Sequence, residues 1–136
     1  QDTYPKRRGL TRVKELNDNH INVCFAQDSM SDPWYPLGNG NMMNILDHGI
    51  HICQMMSFDE IDNALDLITI NGAKTMNLDD VYGIEVGKDA NFIVINAKSE
   101  FEAVCERAGV LASIRNGKYL FDKIPEKVNT DIELLS

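Results

Sequence analysis

Apolar residues recur along the first part of the chain with the periods of helices and of one short strand. Val13 and Leu16 follow Thr11, a residue type that caps helices, and the polar run at positions 17–20 predicts where this first helix ends. The run Ile21–Phe25 is rich in β-formers and predicts a short strand. A helix of about four turns is predicted by apolar positions that share one face: Met42, Leu46, Gly49, Ile50, Cys53 and Met56.

A capping-box signal opens the next predicted helix. Ser57 is followed three residues later by Glu60, so each side chain can bind the other residue's backbone amide. Apolar spacing continues over positions 61–68, and the Asn-Gly pair at 71–72 predicts the end of this helix. A short helical turn over positions 73–78 is expected to follow.

Beyond residue 80 the pattern favours strands. Phe92–Ile95 is a compact strand-forming run, and a Ser-x-x-Glu cap predicts a short helix over positions 99–107. Two further runs flank Asn116-Gly117, a pair that favours the type I′ turn of a β-hairpin.

The change near residue 80 divides the chain into two predicted parts. Residues 1–80 form an α/β part and residues 81–136 a β-rich part. One strand in the first part would leave both of its edges unpaired, so its partners are expected in a longer parent chain. The start at Gln1, without an initiator methionine, agrees with that expectation.

Charge argues against two classes of partner. The chain has 136 residues, of which 43% are hydrophobic and 25% charged, a composition typical of a folded domain. Its 21 acidic and 13 basic residues give a net charge of −8, which argues against nucleic acid or an anionic membrane as the main partner. The basic cluster Lys6-Arg7-Arg8 is short and is predicted to be solvated surface.

The cysteines favour a reducing compartment. Cys24, Cys53 and Cys105 are odd in number, widely spaced and set among apolar neighbours, so we expect buried free thiols in a cytoplasmic protein. No apolar run approaches the ~20 residues that a membrane-spanning helix needs.

Asp28 is the leading candidate for chemistry. It follows the predicted strand where a long irregular segment begins, and α/β barrels place catalytic residues at the C-terminal ends of their strands. The alternative is a loop-capping aspartate whose carboxylate binds backbone amides. Asp32 precedes Pro33 and is predicted to form a turn.

Other side chains leave more than one interpretation open. Trp34 and Tyr35 can wall a pocket for a flat heterocycle or pack as a loop plug. His48 and His51 have the spacing of some helical metal pairs, but no Glu or Cys joins them, so we expect no metal there. His20 is predicted at a helix end without a chemical role. The chain has no His-x-His, Cys-x-x-Cys, nucleophile elbow or phosphate loop, so it holds no complete active site.

Several short sequence motifs of the chain occur together in a known group of proteins. The seven residues Asp32–Gly38 are specific to one family, whereas the glycine-rich run Tyr82–Ile95 marks its superfamily. Together with the other matching runs they closely resemble the C-terminal third of bacterial cytosine deaminase, a family of the amidohydrolase superfamily, and the resemblance fades after Phe121. The other runs are Pro5–Leu16, Ile21–Phe25, Gly49–Gln54 and Asn71–Leu78.

The resemblance implies an α/β fold of a particular kind. It implies a distorted TIM (β/α)8 barrel plus a small β-sandwich, with this chain supplying the last barrel strand, the helices that follow it and the C-terminal sandwich strands. It also implies a small-molecule base as substrate and the rest of the parent chain as a partner. We further expect a homo-oligomer for the full-length protein.

The resemblance also implies roles for three residues. Asp28 matches an aspartate that ligates one divalent metal ion, iron or zinc, and accepts the proton of the attacking water. Most metal ligands and the glutamate that relays protons lie outside this chain, so the fragment alone is not expected to be active. Trp34 matches a residue that lines the substrate pocket, and Ser29 occupies the place of a second carboxylate near the pyrimidine.

Two departures leave the substrate open. The family has His-Asp-Asp where this chain has Gln27-Asp28-Ser29. Serine is a weaker acceptor and leaves more room, which suits a related amino- or oxo-heterocycle, while Gln27 changes the hydrogen bonding around the site. The first hypothesis is therefore a fragment of a metal-dependent deaminase for cytosine or a relative. The alternatives are an amidohydrolase for another heterocycle, such as a triazine, and a non-catalytic module.

Overall fold

The computed structural model of the chain describes residues 9–127, and the basic cluster at positions 6–8 lies outside that range. The described part is a mixed α/β structure in which a run of helices precedes a small antiparallel sheet, with one further helix between the first two strands. Its elements are α1 Val13–Asp18, α2 Met42–Ile52, α3 Phe58–Asp62, a 3-10 helix Ala64–Ile68, α4 Ile70–Thr75, β1 Phe92–Ile95, α5 Glu100–Cys105, β2 Val110–Arg115 and β3 Lys118–Asp122.

The first helix starts one residue later than predicted. Arg12, not Thr11, is the N-cap, and no side chain caps the helix. The Arg12 guanidinium instead pairs with Glu15 at 2.7 Å one turn further on, which supports the first turn from the side. The predicted exit is confirmed, since α1 ends at Asp18 and His20 has a left-handed φ of 58°.

The predicted strand Ile21–Phe25 does not form a β-ladder with any segment of residues 9–127. Its composition suits a strand, but a ladder needs a neighbour whose backbone groups are free to pair. The hydrogen bonds of this segment run to helical residues, as detailed below. Because the partners of this strand are expected in a longer parent chain, the strand stays a prediction.

Helix α2 is confirmed, but it is shorter than the apolar pattern predicts. Its 11 residues begin after Asn41, whose side chain accepts the Met43 amide, and end at Ile52, with Cys53 as the C-cap. Gln54 has a φ of 57°, so the chain turns away before Met56 can continue the apolar face.

The capping box at Ser57 is confirmed, with both reciprocal hydrogen bonds present. The single helix predicted to run on to the Asn-Gly pair is wrong, because the chain breaks into α3, the 3-10 helix and α4. The second break is at Thr69, whose φ of −126° and ψ of −93° are not helical and whose hydroxyl donates to the Leu65 carbonyl at 2.7 Å. Asn71 and Gly72 lie inside α4.

The β-rich elements agree with the sequence. β1, β2 and β3 form a sheet in that order, with both pairs antiparallel. Asn116 and Gly117 have φ values of 49° and 73°, the left-handed pair that a type I′ turn needs. Ser99 caps α5 by accepting the Glu102 amide, as predicted.

One apolar core joins elements from both predicted parts. Leu46 of α2 is fully buried at its centre, and Leu67 of the 3-10 helix packs in the same cluster. Ala103 and Val104 of α5 belong to this cluster too, so a helix that follows residue 80 buries its apolar face against helices that precede it. The division at residue 80 stays a prediction.

All three cysteines are free. Cys24 and Cys53 are half-buried, but Cys105 is exposed, so the expected burial is wrong for that residue because α5 turns it away from the core. Among the helices of residues 9–127, none is long and apolar enough to cross a membrane.

The Lys14–Glu60 ion pair generates a pH prediction. Lys14 lies 2.5 Å from the Glu60 carboxylate, and this contact, more than the Ser57 amide, lowers the pKa of Glu60 to about 2. The folded-state pKa is thus below the usual 4.5, so the pair stabilises the fold above about pH 4.5 and its contribution is lost as the pH falls towards 2. Glu60→Gln should lower the free energy of unfolding at pH 7 by less than about 1 kcal/mol and flatten its acid dependence.

Thermal unfolding followed by circular dichroism from pH 2 to 7 measures this effect. Asp62→Asn, on the same helix, is the matched control and should keep the wild-type slope. An unchanged slope in Glu60→Gln would contradict the assignment.

Exposed apolar side chains generate a second prediction. Trp34, Ile84, Val86 and Ile124 are each at least 85% exposed, far more than apolar residues of a monomeric domain usually are. Residues 1–136 expressed alone are therefore expected to self-associate. Light scattering after size-exclusion chromatography checks this, and a monodisperse monomer at tens of micromolar would count against it.

Candidate active site

Residues 21–28, which we call the anchored segment, are held by side chains of α4. The Asn71 side-chain amide donates to the Val23 carbonyl at 2.9 Å. In the opposite direction the Asn22 amide donates to the Asn71 carbonyl at 3.1 Å and to the Thr75 hydroxyl at 3.0 Å. The Thr75 hydroxyl also lies 3.4 Å from the Cys24 sulfur. Three consecutive residues of the segment thus contact one face of α4.

Phe25 fixes the same segment from two further sides. Its amide donates to the Leu67 carbonyl at 2.8 Å. Its ring packs directly on Gly49 of α2, where a Cβ atom would lie 2.5 Å from the ring. Only glycine fits that contact without displacing the ring, so α2 and the 3-10 helix together fix Phe25, three positions before the end of the anchored segment.

Asp28 lies at the end of the anchored segment with its carboxylate exposed. The Gln27 side-chain amide donates to the Ser29 carbonyl and bridges over it. Among residues 9–127 no amide or cation binds the Asp28 carboxylate, so the alternative of a loop-capping aspartate gains no support. The carboxylate is free to bind something else.

Asp32 performs the loop-capping role that was one alternative for Asp28. Its Oδ1 accepts the Trp34 amide at 2.9 Å and the Tyr35 amide at 2.8 Å, which confirms the predicted turn. The Tyr35 amide is the main cause that lowers the pKa of Asp32, and the Ser29 hydroxyl and the Trp34 amide lower it further. The turn holds the Trp34 side chain 90% exposed.

The predicted site residues lie close to one another because they are near in sequence, not because the fold brings distant segments together. Asp28, Ser29 and Trp34 lie in one loop, and they are not among the residues that line the two largest concavities described. Those concavities have volumes of about 690 Å³, between α1, α3 and the 3-10 helix, and about 610 Å³, between the start of α2 and the sheet.

A divalent ion fits Asp28 as one ligand of a larger set. An exposed carboxylate that no side chain or amide of residues 9–127 binds is a suitable oxygen ligand for iron or zinc. Within residues 9–127, however, no group of three His, Cys, Asp or Glu side chains is placed to hold a metal. The His51 Nδ1 lies 2.7 Å from the Asp47 carbonyl of its own helix, and the expectation that the histidine pair holds no metal stays a prediction.

The contacts from α4 and from Gly49 were missed by the sequence analysis. Asn71-Gly72 resembles a helix stop, and nothing local shows that the asparagine side chain binds a distant carbonyl. Gly49 carried a usable signal, because a glycine on an otherwise apolar helix face indicates a close approach by another element.

The chain is similar in structure to 5-methylcytosine deaminase from Klebsiella pneumoniae. The complex with phosphonocytosine matches with a TM-score of 0.87 and 49% sequence identity, covering 95% of this chain and 32% of that chain. The complex with 5-fluorocytosine matches with a TM-score of 0.88 and 50% identity, again over 95% of this chain and 31% of that one. The resemblance to the C-terminal third of a bacterial cytosine deaminase is confirmed.

Two more distant relatives act on other compounds. N-isopropylammelide isopropyl amidohydrolase from Pseudomonas sp. (strain ADP) is 32% identical over 108 residues, 79% of this chain and 27% of that protein. Pterin deaminase from Rhizobium rhizogenes is 24% identical over 130 residues, 93% of this chain and 29% of that protein. The chain thus spans about a third or less of the length of these relatives.

The family model gives the same result. Residues 1–121 match the model of the Amidohydrolase family. That span contains the anchored segment, the loop with Trp34 and most of the sheet. Because the match covers most of the chain and agrees with the structural similarity, the chain belongs to the amidohydrolase family.

Proposed function

We propose that these residues form the last third of a metal-dependent deaminase that hydrolyses cytosine or a related aminated heterocycle and releases ammonia. The observation that carries the proposal is the similarity to 5-methylcytosine deaminase, at 49% identity over 95% of this chain. The activity requires the parts of such an enzyme that this chain does not contain. The cytoplasm and a homo-oligomeric state stay predictions.

The same similarity supports a proposal about the barrel and the sandwich. We infer that residues 21–25 form the last strand of a distorted barrel and that the sheet β1–β3 belongs to a small β-sandwich. The absence of a ladder partner for residues 21–25 within residues 9–127 supports this inference, because parallel barrel strands pair with strands far away in sequence.

Asp28 is proposed as a metal ligand and as a proton acceptor. When bound, the ion would supply a Lewis acid that makes water more acidic. The overall reaction adds water at the ring carbon that bears the amino group, breaks the exocyclic C–N bond and releases ammonia. The Asp28 carboxylate accepts the proton that the water loses, a role that suits an exposed carboxylate with no partner among residues 9–127.

Trp34 and Ser29 are proposed to meet the substrate. Trp34 offers a flat apolar surface to a heterocycle because the Asp32 turn holds it away from the core of the described residues. Ser29 adjoins Asp28 and replaces the acid that the family resemblance implies. A hydroxyl takes less space than a carboxylate, so a ring larger or less basic than cytosine is the second candidate. The relatives that act on isopropylammelide and pterin favour keeping that candidate.

The first prediction here concerns two aspartates four residues apart. In the full-length protein, Asp28→Asn should lose its bound metal, because an amide is a weak ligand. Its kcat should fall by at least about 10³-fold, because an amide does not accept a proton. Asp32→Asn is the matched control and should keep its metal, with its main effect on KM through the Trp34 turn. For both variants, plasma emission spectroscopy measures the metal content, and an assay of ammonia release measures kcat and KM. Wild-type metal content in Asp28→Asn would reject the ligand assignment.

The second prediction concerns the substrate. The full-length protein should release ammonia from cytosine or 5-methylcytosine in a panel that also contains aminated triazines and pterins. Ser29→Asp should raise kcat/KM for cytosine about tenfold relative to the larger rings, because the added acceptor favours the aminopyrimidine. Turnover of triazines or pterins without turnover of pyrimidines would favour the second candidate, and no turnover of any base would favour a non-catalytic module.

A further inference from the structure

We propose that Asn71 is a positioning residue for Asp28, an inference that rests on the proposed role of Asp28 as a metal ligand. Asn71 does not touch the loop that carries Asp28. It acts through the anchored segment, by donating its side-chain amide to the Val23 carbonyl at 2.9 Å and accepting Asn22 on its own carbonyl.

The helix break at Thr69 explains why the 3-10 helix has a backbone carbonyl that can accept a hydrogen bond from the anchored segment. In a continuous helix the Leu67 carbonyl would accept the amide four residues later, which belongs to Asn71. Here it accepts the Phe25 amide of the anchored segment instead. The break thus leaves the Leu67 carbonyl free to accept the Phe25 amide, and the Asn71 side chain donates to the Val23 carbonyl two residues earlier in the segment.

These contacts hold the anchored segment next to the helical stretch and also fix its register along that stretch. Asn22, Val23 and Phe25 are bonded in order to Thr75, Asn71 and Leu67, so the segment runs antiparallel to the helical stretch. A shift by one residue would break all three bonds at once. The register of the segment is therefore set by two side chains of α4 and the Leu67 carbonyl rather than by any strand within residues 9–127.

The contacts are close enough to Asp28 to decide where its carboxylate lies. Asp28 follows Phe25 by three positions, which span at most about 11 Å of chain. Phe25 cannot move towards α2, because Gly49 already touches its ring. Metal–ligand distances tolerate only about 0.2 Å, so a small shift of the anchored segment is enough to weaken a ligand at its end.

The test uses Co²⁺ in the full-length protein, because the d–d absorption bands of cobalt report the geometry of its ligands without any turnover. Asn71→Ala should lower the affinity for Co²⁺ about tenfold and shift the bands. Asn71→Asp has the same size but replaces the donor by an oxygen that repels the Val23 carbonyl, so it should shift the bands at least as far. It keeps the proposal testable if the alanine variant does not fold.

Asn63→Ala is the matched control. It also removes one side-chain amide that donates to a backbone carbonyl, that of Asp59 at 2.7 Å, but it lies at the end of α3 and does not contact the anchored segment. Its Co²⁺ affinity and spectrum should be those of the wild type. A merely structural role for Asn71 predicts similar spectra for Asn63→Ala and for folded Asn71 variants.

Asp28→Asn separates the two proposals. If it loses Co²⁺ while Asn71→Ala and Asn71→Asp bind it with wild-type affinity and bands, the positioning role is wrong and the ligand assignment stands. If Asp28→Asn itself keeps Co²⁺ with an unchanged spectrum, the ligand assignment fails and the positioning proposal fails with it.

Discussion

The contact between the anchored segment and the helical stretch from Leu67 to Thr75 is the constraint on which the candidate site depends. A backbone segment that pairs with no strand in residues 9–127 must satisfy its polar groups in another way. Here one backbone carbonyl and two side chains of the helical stretch do so. The break at Thr69 is what makes the carbonyl available, so an irregularity in one helix fixes the segment that ends at Asp28.

Beyond Phe25 the loop is organised by its own residues. Gln27 bridges to the Ser29 carbonyl, and Asp32 gathers the amides of Trp34 and Tyr35. The carboxylates of Asp28 and Asp32 therefore lie in different hydrogen-bonding environments. Asp32 has its oxygen occupied by backbone donors, whereas the Asp28 carboxylate is exposed and unpaired within residues 9–127. A ligand or a proton acceptor needs the second kind of environment.

Local signals predicted the parts of the fold that local interactions decide. The Ser57 capping box, the Ser99 cap and the Asn116-Gly117 turn each depend on residues within four positions of one another, and the structure has all three. The Asp32 turn belongs to the same class. The errors are of another kind. The end of α2 and the break at Thr69 are changes of backbone conformation, at Gln54 and Thr69, that the spacing of apolar residues does not encode. The strand Ile21–Phe25 stays a prediction, because its partners are expected outside residues 9–127.

The sequence by itself determined the family, the candidate acid and the turns, because each is encoded in a short string of residues whose chemistry does not depend on distant neighbours. Only the tertiary structure showed that α4 and Gly49 hold the segment that precedes Asp28. Those contacts join residues that are 24 to 53 positions apart, as Phe25 to Gly49 and Asn22 to Thr75 show. No local pattern encodes such pairs. A glycine on an apolar helix face indicates a close approach but not which segment makes it, and the carbonyl that a helical asparagine binds depends on which segment packs beside its helix.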